Sequence, residues 1–311
     1  MIRAVDTMLR KVLSHLIAAA LVLSGCGGGG GSVDIPTFWT VRNSGTSNTL
    51  FGIGTYANQA VAVGALGTIV TSSDGLSWIT RNSGVVFHLN GVGASSTKAV
   101  AVGDNGTIIS STDLSTWVPE TSNTMNRLRG VAWTGNQFVA VGDAGTILTS
   151  PDATTWTSQS GASGDLYGVA ANANIIVAVG AGVFTSPTGA TWTPRTSSIG
   201  SPARGVVWSG AQFLAVGPTS GFGNVQTSFD GITWTARQTG FASPLYAAAW
   251  SGFEFMTVGQ GRTTLRSADG IGWTYQSISD VVGFPFDGNG VAWHGGRFIG
   301  VGTGGRVFTA P

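Results

Sequence analysis

Charged side chains are scarce in this sequence. Only 9% of the 311 residues are charged, and the formal net charge is +1. Beyond residue 25, Lys98 is the single lysine of the chain. Nucleic-acid binding relies on many Lys and Arg contacts to phosphates, so this composition excludes nucleic acid as a partner.

Histidine and cysteine are also scarce, with three residues and one residue respectively. His88 and His294 have no neighbours at the spacing of metal ligands, so we predict no metal site. Glycine-rich stretches such as Gly300–Gly305 do not precede a helical pattern and therefore indicate turns, not nucleotide-binding loops. The sequence thus predicts no cofactor.

The N-terminus has the pattern of an export signal. Basic residues precede an apolar run from Val12 to Leu23, which is too short to remain in a bilayer as a spanning helix. The run ends in Leu23–Cys26, which resembles the lipobox of bacterial lipoproteins. The resemblance implies a signal peptide over residues 1–25 and lipid attachment at Cys26, through which the protein would contact the membrane. An ordinary secretory signal with an incidental cysteine is the alternative.

The residues after Cys26 indicate a linker. Five glycines over residues 27–31 are followed by Ser32, which is typical of a flexible tether. We therefore predict a tether over residues 26–36 and a folded domain over residues 37–311. Residue 27 is not Asp, which by resemblance to enterobacterial lipoproteins favours the outer membrane, on its periplasmic or its outer face.

A short pattern recurs along most of the chain and is clearest at residues 129–156. Neighbouring copies are 37 to 43 residues apart, and each contains short apolar runs, glycine turns and a closing tryptophan. A period of this size with about four short strands is typical of a propeller blade. We predict an all-β fold, a seven-bladed β-propeller of four-stranded antiparallel blades. The Val-Gly pair of the pattern ends at Gly64, Gly103, Gly142, Gly180, Gly217, Gly259 and Gly302.

The turn before the closing tryptophan often follows Ser-x-Asp-Gly-x-x-Trp, as at Ser72–Trp78 and Ser228–Trp234. Ser and Asp side chains accept hydrogen bonds from turn N–H groups, and Gly supplies positive φ. The pattern resembles the Asp-box, or BNR, repeat of sialidases and related propellers. Val102–Ile108 is more similar to the photosystem II assembly and stability factors of that superfamily. We interpret the repeated Asp as a turn device, not as a catalytic or metal-binding residue.

The two ends of the chain complement each other. The seventh copy stops at Pro311, before its Asp-containing turn, whereas Phe38–Gly45 matches the closing strand Trp78–Gly84 and has no blade before it. We predict that the N-terminal strand completes the last blade and leaves no free sheet edge.

Length differences among the copies occur in the turn after Val-Gly and in the connection to the next inner strand, as at Pro218–Asn224 and Thr274–Gly288. Both emerge on one face of an up-and-down blade, which we call the variable face, and binding residues concentrate in such loops.

Residues opening the inner strands should ring the channel mouth there. Their side chains suit a carboxylate, a sugar or a peptide, although they could also merely plug the channel. These ring residues are Phe51, Asn90, Arg129, Tyr167, Arg204, Tyr246 and Asn289.

The ring does not have the composition of a sialidase site. By resemblance, a sialidase needs three arginines, a Tyr with a Glu partner and an acid–base Asp. The ring offers Arg129 and Arg204 only, and the two glutamates, Glu120 and Glu254, are expected in an outer strand and on the opposite face. We predict that the protein is not an enzyme.

The leading hypothesis is an exported, lipid-anchored, monomeric propeller. It would bind an envelope protein or peptide through the variable face and act as a non-catalytic scaffold or assembly factor. A surface glycan-binding, lectin-like propeller is the alternative, and a sialidase-like glycoside hydrolase ranks below both.

Overall fold

The computed structural model describes residues 39–196, 202–218, 225–278 and 286–311. These residues form seven four-stranded antiparallel sheets, which confirms the predicted seven-bladed propeller. The predicted signal peptide, Cys26, the tether and, in the two long variable connections, residues 219–224 and 279–285 lie outside the described residues. In the part of the chain that is described, no helix is long and apolar enough to cross a membrane.

Each blade follows the chain outwards from the central channel, from its innermost to its outermost strand. Blade 1 contains β2 (Leu50–Tyr56), β3 (Gln59–Gly64), β4 (Ile69–Ser72) and β5 (Ile79–Arg81). Blade 2 contains β6 (Leu89–Ala94), β7 (Ala99–Gly103), β8 (Ile108–Ser111) and β9 (Val118–Glu120). Blade 3 contains β10 (Leu128–Trp133), β11 (Phe138–Gly142), β12 (Ile147–Ser150) and β13 (Thr157–Gln159). Blade 4 contains β14 (Leu166–Ala171), β15 (Ile176–Gly180), β16 (Val183–Ser186) and β17 (Thr193–Arg195).

The remaining blades repeat this order. Blade 5 contains β18 (Gly205–Trp208), β19 (Phe213–Val216), β20 (Val225–Ser228) and β21 (Thr235–Arg237). Blade 6 contains β22 (Leu245–Trp250), β23 (Phe255–Gly259), β24 (Thr263–Ser267) and β25 (Thr274–Ser277). Blade 7 contains β26 (Gly288–His294), β27 (Arg297–Gly302), β28 (Val307–Ala310) and, from the other end of the chain, β1 (Thr40–Arg42). Short 3-10 turns follow the second strand at Ala65–Gly67, Asp104–Gly106, Asp143–Gly145, Gln260–Arg262 and Thr303–Gly305.

The pairing of β1 with β28 closes the ring, as predicted. Thr40 lies opposite Thr309, and Arg42 lies opposite Val307. The preceding Trp39 is 2% exposed, and its indole N–H donates to Thr264 Oγ1 of blade 6 at 3.1 Å. Strand β1 therefore pairs with the C-terminal strand within blade 7, and the residue before β1 connects blade 7 to blade 6.

Apolar side chains from adjacent blades form the core. The second strands are buried along their whole length, as in β11, except at the first residue of β3 and of β27, because each blade is covered on both faces by its neighbours. In one cluster, Val177 of blade 4 packs with Phe213 of blade 5, and Trp208 covers them. Trp133, Trp250 and Trp293 occupy the equivalent position, next to a phenylalanine near the start of the following strand.

The Ser-x-Asp turns lie between the third and fourth strands, on the face opposite the variable face, which we call the uniform face. In blade 5, Asp230 Oδ1 accepts the N–H groups of Ile232 and Thr233, both at 2.8 Å. Ser228 Oγ accepts the Gly231 N–H at 2.8 Å, and the Trp234 indole donates to the Gly231 carbonyl. The carboxylate thus stabilises the turn by accepting hydrogen bonds from its backbone.

These hydrogen bonds lower the pKa of the turn carboxyls. N–H groups of the turn are the main cause for most of them. Burial alone would raise the pKa of Asp230, but the N–H groups of Thr233 and Ile232 outweigh burial. The lowered pKa values belong to Asp74, Asp113, Asp152, Asp230 and Asp269.

The turn carboxyls should make stability dependent on pH in the acid range. A carboxyl whose pKa is lower in the folded than in the unfolded state stabilises the fold above its unfolded pKa of about 4, and this contribution is lost as the pH falls through the folded value. We expect the free energy of unfolding to decrease below pH of about 4. Urea unfolding between neutral and acid pH measures this. Replacing all five Asp by Asn should flatten the dependence, and an unchanged slope would contradict the assignment.

Candidate ligand-binding site

The seven ring residues predicted from the sequence come together in the structure. All of them line one cavity of about 610 Å³ at the mouth of the central channel, on the variable face. The 3-10 turns and the connections between blades lie on this same face, because both adjoin the starts of the inner strands. That these residues bind a ligand stays a prediction, but their shared location is established.

A β-bulge places most ring side chains in the cavity. In blade 3, Leu128 pairs with Gly142 and Gly130 pairs with Val141, so Arg129 is the extra residue between two regular pairs. The same shift occurs at the start of the inner strand in blades 1, 2, 4, 6 and 7. A bulge re-aims the side chain that leaves the ladder, and here it turns that side chain toward the channel.

Glycines permit this arrangement by close approach of backbones. A Cβ at Gly142 would lie 2.1 Å from the Arg127 carbonyl oxygen, which accounts for the repeated Val-Gly pair. A Cβ at Gly130 would lie 2.8 Å from the Tyr167 carbonyl oxygen of the next blade. The inner strands of neighbouring blades therefore pack almost backbone to backbone, which draws the ring residues together.

Two ring residues join blades to one another. Asn90 Nδ2 donates to the carbonyl of Leu128 in the next blade and to Asp104 Oδ1, both at 2.9 Å. Asn289 Nδ2 donates to the Leu50 carbonyl at 2.9 Å. The contacts of these two amides fit the alternative that ring residues merely plug the channel, because both amides hold neighbouring blades together at its mouth.

Arg129 is held by neighbouring carboxylates. Its Nε forms an ion pair with Asp143 of the same blade, and Asp165 of the next blade lies 3.9 Å from the guanidinium. The guanidinium carbon also lies 4.4 Å from the centre of the Tyr167 ring. The positive charge of Arg129 is thus already compensated within the protein.

Arg204 has a different environment. Its guanidinium carbon lies 4.4 Å from the centre of the same Tyr167 ring, and its Nε is buried without a hydrogen-bond partner among the described residues. Beside it, burial raises the pKa of the Tyr246 hydroxyl above its ordinary value; Asp287 raises it further, and Arg204 opposes this. The phenol therefore remains protonated at neutral pH and can donate a hydrogen bond. Arg204, Tyr167, Tyr246 and Asp287 form what we call the Arg204 sector.

The cavity contains charged residues that the sequence analysis missed. Asp104, Arg127 and Asp287 line it, and so does His88, whose ring lies 5.8 Å from that of Phe51. Arg127 Nε pairs with Asp104 at 2.8 Å. These residues could have been found from the sequence, because each lies either two residues before a ring residue or directly after a Val-Gly pair.

Side chains two residues before the ring residues join adjacent blades. Asp165 Oδ1 accepts the Ala144 N–H at 3.0 Å, and Asp287 Oδ1 accepts the Gly261 N–H at 2.9 Å. His88 Nδ1 accepts the Leu66 N–H at 2.9 Å. In each case the donor belongs to the 3-10 turn of the preceding blade. These carboxylates and this imidazole therefore have a structural function at the rim of the cavity.

The remaining candidate residues lie away from the cavity. Glu120 is in the outer strand β9 and accepts a hydrogen bond from Ser110 at 2.6 Å, and Glu254 lies on the uniform face and pairs with Arg266 at 2.6 Å. His294 is buried, with Nε2 3.2 Å from the Ser73 carbonyl. Within the described ranges, no group of three His, Cys, Asp or Glu residues is arranged to hold a metal ion.

Comparison with known proteins identifies the fold. No protein-family model matches the chain, and a search of curated proteins finds no significant match. Among solved structures, YCF48 from Cyanidioschyzon merolae is 17% identical with a TM-score of 0.69, over 88% of this chain and 98% of that one.

Two further structures have similar scores. YCF48 bound to a D1 peptide is 17% identical with a TM-score of 0.71, over 90% of this chain and 96% of that one. An inactive virginiamycin B lyase from Staphylococcus aureus with quinupristin is 10% identical with a TM-score of 0.74, over 87% of this chain and 98% of that one. At these identities the likeness shows a shared propeller fold, which both binding proteins and an enzyme use.

The two ring arginines should differ in their effect on stability. Arg129→Met leaves Asp143 without its cation, and losing a hydrogen bond between charged, half-buried groups costs about 1–3 kcal/mol of the free energy of unfolding. Arg204→Met removes a guanidinium whose Nε has no partner, so we expect a change below about 1 kcal/mol. Urea unfolding of both variants measures the difference. Equal losses would mean that Arg204 also stabilises the fold.

Proposed function

We propose that this protein is a non-catalytic scaffold or assembly factor that binds a carboxylate-bearing peptide segment of a partner protein in the Arg204 sector. The observation that carries the proposal is the buried Arg204 Nε, which has no hydrogen-bond partner among the described residues. A buried donor without a partner is costly, and an incoming acceptor would satisfy it.

The chemistry of the sector favours a carboxylate. A guanidinium presents its donors in a planar fork that matches the two oxygens of a carboxylate. Stacking on Tyr167 fixes the plane of that fork, and the protonated Tyr246 hydroxyl lies near enough to Arg204 to be affected by its charge. The cavity, at about 610 Å³, has room for a few residues of extended peptide.

Binding fits the cavity better than catalysis does. Each carboxylate of the cavity accepts a hydrogen bond or ion pair from this chain: Asp104 from Asn90 and Arg127, and Asp287 from a turn N–H. The raised pKa of Tyr246 makes its phenol a poor nucleophile at neutral pH. The solved complex of YCF48 with a D1 peptide supports the proposal by analogy, since it is a propeller of similar fold with a peptide partner.

A peptide with a free C-terminal carboxylate tests the proposal. Peptides without Asp or Glu, selected on the purified propeller, would be measured by fluorescence polarisation with a free and with an amidated C-terminus, so that the terminal carboxylate is the only one present. We expect amidation, or Arg204→Met, to weaken binding about 10-fold or more, because hydrogen bonds to charged groups contribute about 1.5–3 kcal/mol.

Arg237→Met is the matched control. Arg237 is in the outer strand of the same blade, where its Nε donates to Thr227 Oγ1 at 2.8 Å, so the variant removes the same charge outside the cavity. Equal binding of free and amidated peptides would contradict the carboxylate. Saturable binding of purified glycans that Arg204→Met abolishes would favour the lectin-like alternative instead.

We further propose that the propeller is exported and held in the bacterial envelope, in the outer membrane, by a lipid on Cys26. The lipobox-like residues Leu23–Cys26, the apolar run before them and the glycine run after them support this location.

Lipid attachment predicts a change of cell fraction. In bacteria supplied with labelled palmitate, the intact chain should take up label and sediment with membranes, because an acylated N-terminus partitions into lipid. Cys26→Ser should lose the label and enter the soluble fraction, whereas the nearby Ser32→Ala should behave as the intact chain. Membrane association of unlabelled Cys26→Ser would contradict lipid anchoring.

A further inference from the structure

A second concavity lies on the variable face, over the outer half of blade 2. It has a volume of about 540 Å³. Val85 and Phe87, from the connection that enters the blade, form one side, and Met125, from the connection that leaves it, forms the other. Ile108, at the start of β8, is also part of the lining. We call this concavity the blade 2 groove.

Large apolar side chains are exposed around the groove. Val86 is 76% exposed, Met125 is 77% exposed and Phe87 is 45% exposed. Exposure of this kind costs free energy in water and marks interaction surfaces when several such side chains lie together.

The repeats provide an internal comparison. Counted from the closing tryptophan, Val86 and Met125 occupy one position of the connection, and Phe87 occupies the next. The other described connections carry small or polar residues at these two positions. They are Ser47 and Asn48, Gly164 and Asp165, and Ala242 and Ser243. Since those blades fold with small or polar residues there, the propeller fold does not require large apolar side chains at the groove.

The groove borders the central cavity. Phe87 lines the groove, and the adjacent His88 lines the cavity. Likewise, Asp104 lines the cavity, and the adjacent Asn105 lines the groove. The third strand of the blade lies two strand spacings, or about 10 Å, outside the inner strand. An extended segment can therefore pass from one concavity to the other along a single face.

We propose that the blade 2 groove binds an aromatic or large aliphatic side chain of the same peptide whose carboxylate binds in the Arg204 sector. This inference rests on the proposed peptide-binding function. Blades 2 and 5 are three blades apart in the ring of seven, so the peptide crosses the channel mouth between the two contacts. The two sites together select a C-terminal segment with an apolar residue upstream of its end.

Two sets of peptides test this arrangement. Both end in a free carboxylate; one has four residues and cannot reach the groove, and the other has twelve residues with one phenylalanine at varied positions. We expect Met125→Ser and Phe87→Ser to weaken the binding of the long peptide about 10-fold at the best phenylalanine position. Both variants should leave the binding of the four-residue peptide unchanged.

Phe253→Ser is the matched control for these variants. Phe253 is 84% exposed in the turn between β22 and β23 on the uniform face, so this variant removes a comparable apolar side chain far from the groove. Its binding of both peptides should equal that of the intact chain. Thermal unfolding of Met125→Ser and Phe253→Ser should match that of the intact chain, because these two side chains are largely exposed.

The possible failures are distinguishable. If long and short peptides bind equally well and the groove variants change neither, the groove inference is wrong while carboxylate binding stands. If amidation and Arg204→Met have no effect but the groove variants weaken binding, the proposed carboxylate contact is wrong. If light scattering shows a dimer that Met125→Ser dissociates, the groove is an interface between two copies and the inference is overturned.

Discussion

The close packing of seven inner strands around the channel is the constraint on which the rest of the structure depends. Neighbouring strands approach so closely that a Cβ at Gly130 would lie 2.8 Å from a backbone oxygen of the next blade. This packing persists around the ring because β1 pairs with β28 and leaves no open edge between the first and last blades. Because the ring is closed, the side chains that leave the strand pairing at the bulges meet at the channel mouth.

Closure also separates the two faces by function. On the uniform face, the polar side chains of the Ser-x-Asp turns form hydrogen bonds within the same turn, as when Asp230 accepts two turn N–H groups. On the variable face, some side chains join blades, as Asn90 and Asp165 do. Others have groups that the fold leaves without a polar partner or uncovered: the Arg204 guanidinium stacks on Tyr167 of blade 4, but its Nε lacks a hydrogen-bond partner among the described residues, and Met125 projects an apolar side chain into water. A binding function is therefore best sought where the side chains are not already engaged by the fold.

Much of this could be predicted from the sequence because the chain repeats itself. The repeated Val-Gly pairs and tryptophans indicated seven blades, and the complementary ends at Phe38–Gly45 and Pro311 indicated how the ring closes. The positions of the ring residues also followed from the repeat, since the spacing from the start of the inner strand to the Val-Gly glycine is constant. Membrane anchoring at Cys26 rests on the lipobox resemblance and stays a prediction, because Cys26 lies outside the described residues.

The sequence by itself determined the propeller, its closure and the residues at the channel mouth, because these depend on spacing along one repeat. Only the tertiary structure decided which side chains at the channel mouth already have polar partners within the protein. Arg129 and Arg204 hold equivalent positions in the repeat, yet Arg129 pairs with Asp143 and lies near Asp165 of the following blade, whereas the Arg204 Nε has no such partner among the described residues. That difference arises from contacts between blades, and a pattern read within one repeat does not contain them.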